Sequence, residues 1–106
     1  MSERHEPDAA RELADVEAVF HALAHRSRRH VLLVLHFRGG ELTAGQIARR
    51  FSCSWPTTSR HLKVLVESGL VTSERRGRER VYRLDRERLA VVTRWTDWFD
   101  VAPLKA

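Results

Sequence analysis

The chain has 106 residues, of which 42% are hydrophobic and 31% charged, a balance typical of one small globular domain. No apolar run approaches the roughly 20 residues that cross a bilayer, and the first residues lack the apolar stretch of a secretory signal, so we expect a cytoplasmic protein. The single cysteine, Cys53, excludes an internal disulfide, a four-thiolate zinc site and a cysteine-ligated iron–sulfur cluster.

The net charge of +5 is unevenly distributed along the chain. Residues 1–20 carry two basic and six acidic side chains, whereas residues 49–80 carry eight basic and three acidic ones. A solvated, arginine-rich surface would explain the charge alone. The local basic surplus, however, predicts a polyanionic partner that contacts the middle of the chain, with the acidic first segment held away from it.

A first helix is predicted with Asp8 as its N-cap. Its apolar residues lie three or four positions apart, which places Leu13, Val16, Phe20 and Leu23 on one face. Residues 1–7 before it are expected to form a flexible N-terminus.

A second helix is predicted around residues 31–35, which are apolar nearly all round the helix. His25 or Ser27 lies near its start, and Gly39-Gly40 ends it. We therefore expect this helix to be central to the core.

Residues 42–51 predict a short third helix, with Thr43 as its cap and Ile47, Ala48 and Phe51 on its buried side. The segment 52–54 interrupts it. Cys53, in this break, is expected to fill the core as a small apolar side chain. A redox role would need a thiolate stabilised by Arg49 or Arg50, and the chain has no second cysteine to resolve an oxidised one.

A fourth helix is predicted after Ser54, with Pro56 in its first turn and Gly69 at its left-handed end. One side of this helix is expected to pack and the other to be free. The packing side comprises Thr58, Leu62, Leu65 and Val66; the free side comprises Thr57, Arg60 and Lys63, with Ser59 and His61 at the flanks.

The pattern then changes to period two, which predicts a β-hairpin of residues 70–75 and 80–84 joined through Arg76-Gly77-Arg78. Asp85 is expected to cap a last helix, and Pro103 to end the ordered chain. The apolar side of that helix comprises Leu89, Val92, Trp95 or Thr96, and Phe99, broadened by Trp98.

Helix, helix, helix-turn-helix, hairpin and helix is the order of a winged helix-turn-helix, a mainly α fold with a small β-hairpin, over residues 8–102, with residues 103–106 as a tail. Because an α-helix fits the major groove of DNA, the free face of the fourth helix is predicted to read double-stranded DNA. The predicted recognition-helix residues are Ser54, Trp55, Thr57, Ser59, Arg60, His61 and Lys63; the predicted wing and backbone contacts are Arg49, Arg50, Arg75, Arg76, Arg78 and Arg80.

Two segments resemble the ArsR-type (ArsR/SmtB) bacterial transcriptional repressors. Residues 20–32 read FHALAHRSRRHVL, similar to the family's F-x-A-L-A-D-P-T-R-R-x-I-L. Residues 54–71 read SWPTTSRHLKVLVESGLV, similar to its recognition-helix pattern S-Q-x-x-V-S-x-H-L-K-V-L-x-E-A-G-L-V. The resemblance covers about residues 9–100 and implies a homodimer joined through the first and last helices, a palindromic operator and repression lifted by a signal.

The sequence departs from the family pattern at several positions. His25 and Arg26 replace the usual Asp-Pro, and Trp55-Pro56 replaces glutamine and a small residue, so the family's base preference does not carry over. Residues 41–43 lack the cysteine found in metal-sensing members, and the last helix has no histidine. We therefore expect a repressor without a cofactor or metal, and the small-molecule effector is unknown.

The histidines leave alternatives open. Glu17, His21 and His25 could share a helix face and bind a metal, although histidines near helix ends more often cap, pack or contact phosphate. His61 lies on the predicted reading helix, but packing against the preceding helix is nearly as well supported. A metal- or redox-responsive repressor is therefore a minor alternative.

Apolar faces on the first and last helices predict a two-fold dimer, because a monomer would expose them to water. The predicted interface comprises Leu13, Val16, Phe20, Val92, Trp95 and Phe99. The aromatic residues could instead line a ligand cavity. The sequence lacks the phosphate loop and nucleophile elbow of common enzymes, so we expect no enzymatic activity. An RNA-binding winged helix and a protein-interaction module stay as alternatives.

Overall fold

The computed structural model describes residues 5–100 of the chain. In chain order its elements are α1 (Glu6–Leu23), α2 (Arg26–Phe37), β1 (Glu41–Thr43), α3 (Ala44–Arg50), α4 (Trp55–Glu67), β2 (Val71–Arg76), β3 (Glu79–Leu84), α5 (Arg86–Asp97) and a 3₁₀ turn (Trp98–Asp100). The predicted winged helix-turn-helix architecture is confirmed. Pro103 and the predicted tail lie outside the described residues.

Helix α1 begins at Glu6, earlier than predicted. His5 is its N-cap and Pro7 lies in its first turn, where the missing proline N–H has no helical partner to lose. Asp8 is therefore not the cap; it lies inside the first turn and pairs with Arg11. None of the described helices is long and apolar enough to cross a membrane.

Helix α2 forms the centre of the core, but it is not buried all round. Leu32 and Leu35 are buried, whereas Leu33 is 56% exposed. Of the two residues predicted near its start, His25 is the N-cap, and its Nδ1 accepts a hydrogen bond from the backbone N–H of the other, Ser27, at 3.1 Å. The buried cluster around α2 consists of Val19, Ala22, Val31, Leu32, Leu35, Ile47, Leu62, Leu65, Leu70, Val71, Tyr82 and Leu84.

The sheet has three antiparallel strands in the order β1-β3-β2. The strand β1 was not predicted, because three residues are too few to show a period-two pattern. It pairs with β3 so that Glu41 lies opposite Arg83 and Thr43 opposite Val81. The segment between α2 and α3 is thereby fixed to the hairpin.

Helices α1 and α5 pack against each other within the chain. The rings of Phe20 and Trp95 meet edge to face at 5.1 Å, and Trp95 meets Phe99 at 5.0 Å. Val91 is the buried residue of α5 and was missing from its predicted apolar side. Val16 is 1% exposed, so it belongs to the core of the single chain and has no surface to offer a partner.

Candidate nucleic-acid interface

The helix-turn-helix begins at a capping box before α3. The backbone N–H of Gln46 donates to Oγ1 of Thr43 at 3.1 Å, and the Gln46 side chain accepts from the backbone N–H of Thr43 at 2.8 Å. Ile47 is buried as predicted, whereas Ala48 is exposed. This cap fixes the point where β1 ends and α3 begins.

The turn between α3 and α4 exposes Cys53, contrary to the prediction that this residue fills the core. Phe51 lies on the inner side of the turn instead, where its ring packs against the core and meets the ring of His30 at 4.9 Å. Because the larger side chain already occupies the inner side of the turn, the thiol has no apolar space to fill.

Helix α4 has one buried face and one exposed face, as predicted. Thr58, Leu62 and Leu65 are buried against the core, and Arg60 and Lys63 are exposed on the other side. Thr57 and Ser59 are half-buried at the border between the two faces. The packing of one face against the core therefore presents a polar, cationic face to solvent.

The first turn of α4 carries polar side chains and Trp55, all close to the exposed face. Ser54 occupies the N-cap position, but its hydroxyl donates to Oγ1 of Thr57 at 3.1 Å and does not cap the helix. The Thr57 hydroxyl keeps its own proton for donation. Trp55 is 42% exposed. Without a side-chain cap, this positive helix end favours a nearby anion.

His61 faces the protein rather than the solvent, which favours the packing role over the reading role. Its ring lies 4.3 Å from the ring of His25, and its Nδ1 is 3.4 Å from the Arg28 guanidinium. Burial lowers the pKa of His61, and the neighbouring charges of His25, Arg28 and Arg60 lower it further. The ring thus joins α4 to the start of α2, which supports the packing role. The base-reading role of His61 stays a prediction.

The hairpin of β2 and β3 forms the wing. Its two-residue turn is Gly77-Arg78, and Gly77 has a φ of +65°, the left-handed conformation that glycine adopts without strain. Arg75 lies directly opposite Arg80, on the sheet face that carries the buried Tyr82. Two like charges face each other here, an arrangement that a polyanion would relieve.

Arg76 differs from the other wing arginines because two carboxylates hold it. Its guanidinium donates to Glu41 at 2.9 Å and also pairs with Glu74. Arg83 donates to the other oxygen of Glu41 at 2.9 Å, and both arginines lower the pKa of this carboxyl. These ion pairs join all three strands and support a structural role for Arg76 in the wing. The predicted contact of Arg76 with phosphate stays a prediction.

The ion pairs of Glu41 and Arg83 could not be predicted from the sequence, since they depend on the unpredicted strand β1. The position of Arg38 was not predicted either: it borders a shallow depression of about 240 Å³ together with the exposed Arg49 and Arg50. No carboxylate is among the residues that line this depression. Arg38 therefore lies beside the two arginines, Arg49 and Arg50, that were predicted to contact the DNA backbone. Its position directly after α2 carries no periodic signal.

The predicted metal alternative finds no ligand set in the part of the chain that the structure describes. Residues 5–100 contain no group of three histidine, cysteine or acidic side chains placed to hold an ion. His25 instead caps α2, and the carbonyl of His21 accepts from the Arg28 guanidinium at 3.0 Å.

The amino-acid sequence is similar to those of known transcriptional repressors. Residues 23–74 match the family model described as a helix-turn-helix domain. The transcriptional repressor SdpR of Bacillus subtilis is 37% identical over 67 residues, which cover 63% of this chain and 72% of that protein. The arsenical resistance operon repressor of Staphylococcus xylosus is 32% identical over 83 residues, 78% of each chain.

The fold is similar to solved structures over nearly the whole length of this chain. The crystal structure of an ArsR family transcriptional regulator matches with a TM-score of 0.74 and 25% identity, over 94% of this chain and 93% of that one. The homodimeric winged helix-turn-helix DNA-binding domain of a possible ArsR-family regulator from Mycobacterium bovis matches with a TM-score of 0.68 and 28% identity, over 94% and 91%. The proteins named here are transcriptional regulators, not enzymes. The chain therefore belongs to the ArsR family of winged helix-turn-helix, DNA-binding transcriptional repressors.

Proposed function

We propose that the protein is a homodimeric repressor of its own operon, which binds a palindromic operator with one α4 helix in each of two successive major grooves. The observation that carries this proposal is the two-sided α4: the buried face fixes the helix to the core, and the exposed Arg60 and Lys63 point away from it. Two such helices would lie about one turn of DNA apart. Such a repressor acts in the bacterial cytoplasm.

The exposed residues divide into two roles by their chemistry. Arg60 can donate two parallel hydrogen bonds to a guanine, while Thr57 and Ser59 can donate or accept at neighbouring bases. Lys63, Arg49 and Arg50 are assigned to phosphates, which fix the register of the protein on DNA without reading its sequence. Arg75, Arg78 and Arg80 of the wing are assigned to the flanking backbone or minor groove.

The dimer is proposed to form through α1 and α5; the M. bovis domain to which the chain is similar is itself homodimeric. Leu13 is 52% exposed and Phe99 is 74% exposed, although both are large and apolar. Phe20, Val92 and Trp95 are half-buried beside them. Covering this face with a second copy removes apolar surface from water.

Genomic footprinting first identifies the operator, and binding of full-length protein to that duplex is then compared with random duplex and single-stranded RNA at several salt concentrations. The proposal predicts a preference of about 10³-fold or more for the operator and a steep salt dependence. Equal or tighter binding of RNA would favour the RNA-binding alternative. Absence of nucleic-acid binding would favour a protein-interaction module.

Arg60→Ala is the decisive variant, and Lys63→Ala, on the same exposed face, is its matched control. Arg60→Ala is expected to cost about 1–3 kcal/mol of binding on the operator and much less on random duplex. Lys63→Ala is expected to weaken both duplexes alike. Equal losses on both duplexes for Arg60→Ala would show that this residue contacts phosphate only.

A further inference from the structure

A leucine-lined groove lies between α2 and α5, with Leu23 of α1 and Leu84 at the end of β3 also in its wall and no residue of α4. Its volume is about 650 Å³, within the range of small-molecule sites. The apolar residues of its wall are Leu23, Leu32, Leu33, Leu84, Leu89 and Ala90. The groove therefore offers a long hydrocarbon or aromatic ligand a largely apolar surface.

The rim of this groove carries two arginines and a histidine. Arg29, His36 and Arg86 border it, and no carboxylate is among its lining residues. None of the ion pairs between side chains that the structure describes involves Arg29 or Arg86. The Arg86 guanidinium lies 3.4 Å from Nδ1 of His36, so two nitrogen-bearing side chains converge at one end.

The polar groups are separated along the groove. Arg29 and His36 are seven residues apart on α2, which corresponds to about 10 Å along the helix axis. Arg29 is held at its end by donating to the carbonyl of Leu23 at 2.7 Å. A ligand with one anionic group at the Arg86–His36 end can therefore place an apolar chain along the leucines.

This groove and the proposed dimer face lie on adjoining sides of α5. Ala90 and Trp95 are five residues apart on α5, which at 3.6 residues per turn places them about 140° apart around the helix. Trp95 packs against α1, whereas Ala90 lines the groove with α2. A second copy that covers Trp95 and Phe99 would leave the Ala90 side of α5 accessible, whereas Leu89, three residues from Val92, lies at the border of the two faces.

We infer that the groove is a binding site for an amphipathic monocarboxylate, whose carboxylate pairs with Arg86 and His36 while its apolar chain packs on Leu32, Leu33 and Leu89. A guanidinium and a carboxylate form charge-assisted hydrogen bonds, and the apolar wall supplies the remaining affinity. The inference depends on the groove alone and is tested without DNA, so its failure leaves the proposed function untouched.

Isothermal titration of octanoate into the full-length protein is the direct test, with 1-octanol as the uncharged probe. We expect saturable octanoate binding and at least tenfold weaker binding of 1-octanol. Arg86→Gln is expected to weaken octanoate binding at least tenfold, whereas Arg94→Gln, on the same helix but outside the groove, changes it less than twofold. Ala90→Phe, which fills the groove, is expected to abolish binding.

Several results would overturn the inference. They are the absence of saturable octanoate binding up to millimolar concentration, equal binding of 1-octanol, or equal losses in Arg86→Gln and Arg94→Gln. A fourth is occupation by a second copy, in which case Leu33→Glu would convert a dimer to a monomer in analytical ultracentrifugation and the parent protein would bind no octanoate. Circular dichroism of each variant verifies that it is folded.

Discussion

Replacing Arg78 by glutamine is expected to weaken binding to every duplex and to reduce the dependence of binding on salt. Arg78 lies in the exposed turn of the wing, and no carboxylate within residues 5–100 forms a salt bridge with it. Its charge is therefore available to a phosphate, and contact with that phosphate releases a condensed counterion. Glutamine keeps some hydrogen-bonding capacity but removes the charge.

The size of the effect follows from the number of phosphates contacted. Each neutralised phosphate contributes about 0.9 to the slope of log K against log salt, so two copies of the protein would lose roughly 1.8. If affinity at about 1 M salt is unchanged, binding at about 0.1 M salt falls roughly 60-fold. Fluorescence anisotropy of a labelled duplex across a salt series measures both quantities.

Arg76→Gln is the matched control, since Arg76 lies on the other side of Gly77 but its charge is already paired with Glu41 and Glu74. Its removal is expected to change the salt slope by much less than 0.9 per copy, because few counterions are released at a paired charge. The same loss of slope in both variants would refute the assignment of Arg76 to a structural role. An unchanged slope in Arg78→Gln would refute the wing contact.

Three further predictions concern the stability of the domain. Because the pKa of His61 in the folded state lies below its ordinary value of 6.5, the stability that is complete above that pH is lost as the pH falls through the folded-state value. Urea unfolding of His61→Gln should therefore show a smaller loss of stability between neutral and acidic pH than the parent protein. An equal loss would contradict the packing role. Leu62→Ala, at a position 1% exposed, should lower the free energy of unfolding by about 2–5 kcal/mol; a loss under about 1 kcal/mol would mean that α4 is not fixed to the core. Gly69→Ala should lower the midpoint temperature of thermal unfolding more than Gly77→Ala, although both glycines have positive φ. A Cβ at residue 69 would lie 3.1 Å from Nε of Arg88, whereas a Cβ at residue 77 would meet no atom within 4 Å. The reverse order of the two midpoints would contradict this reasoning.

The elements that could be predicted from sequence are those with a local signal. The α3 cap at Thr43 and the α5 cap at Asp85 each depend on a side chain that accepts from a backbone N–H three residues on, and the left-handed end at Gly69 depends on the absence of a side chain. The two faces of α4 follow from a 3.6-residue period over thirteen residues. The order of these local elements was sufficient to predict the architecture.

The features that could not be predicted depend on contacts between distant parts of the chain. Arg76 looked like any other wing arginine, because Glu41 lies 35 residues away and reaches it only through β1. Cys53 was expected inside although Phe51 was also predicted to be buried, because the sequence does not show that there is room for only one of them on the inner side of the turn. The contact between the rings of His61 and His25, which supports the packing role of His61, also joins residues far apart in the chain.

The three-residue strand β1 has a consequence for the geometry of the whole DNA-binding surface. It pairs with β3 of the wing, and its last residue, Thr43, caps α3 with no residue between them. Because side chains alternate along a strand, deleting one residue of β1 would turn Glu41 to the opposite side of the sheet and shift the start of α3. Such a deletion would misalign the wing and the helix-turn-helix with respect to each other, without altering any residue assigned to DNA.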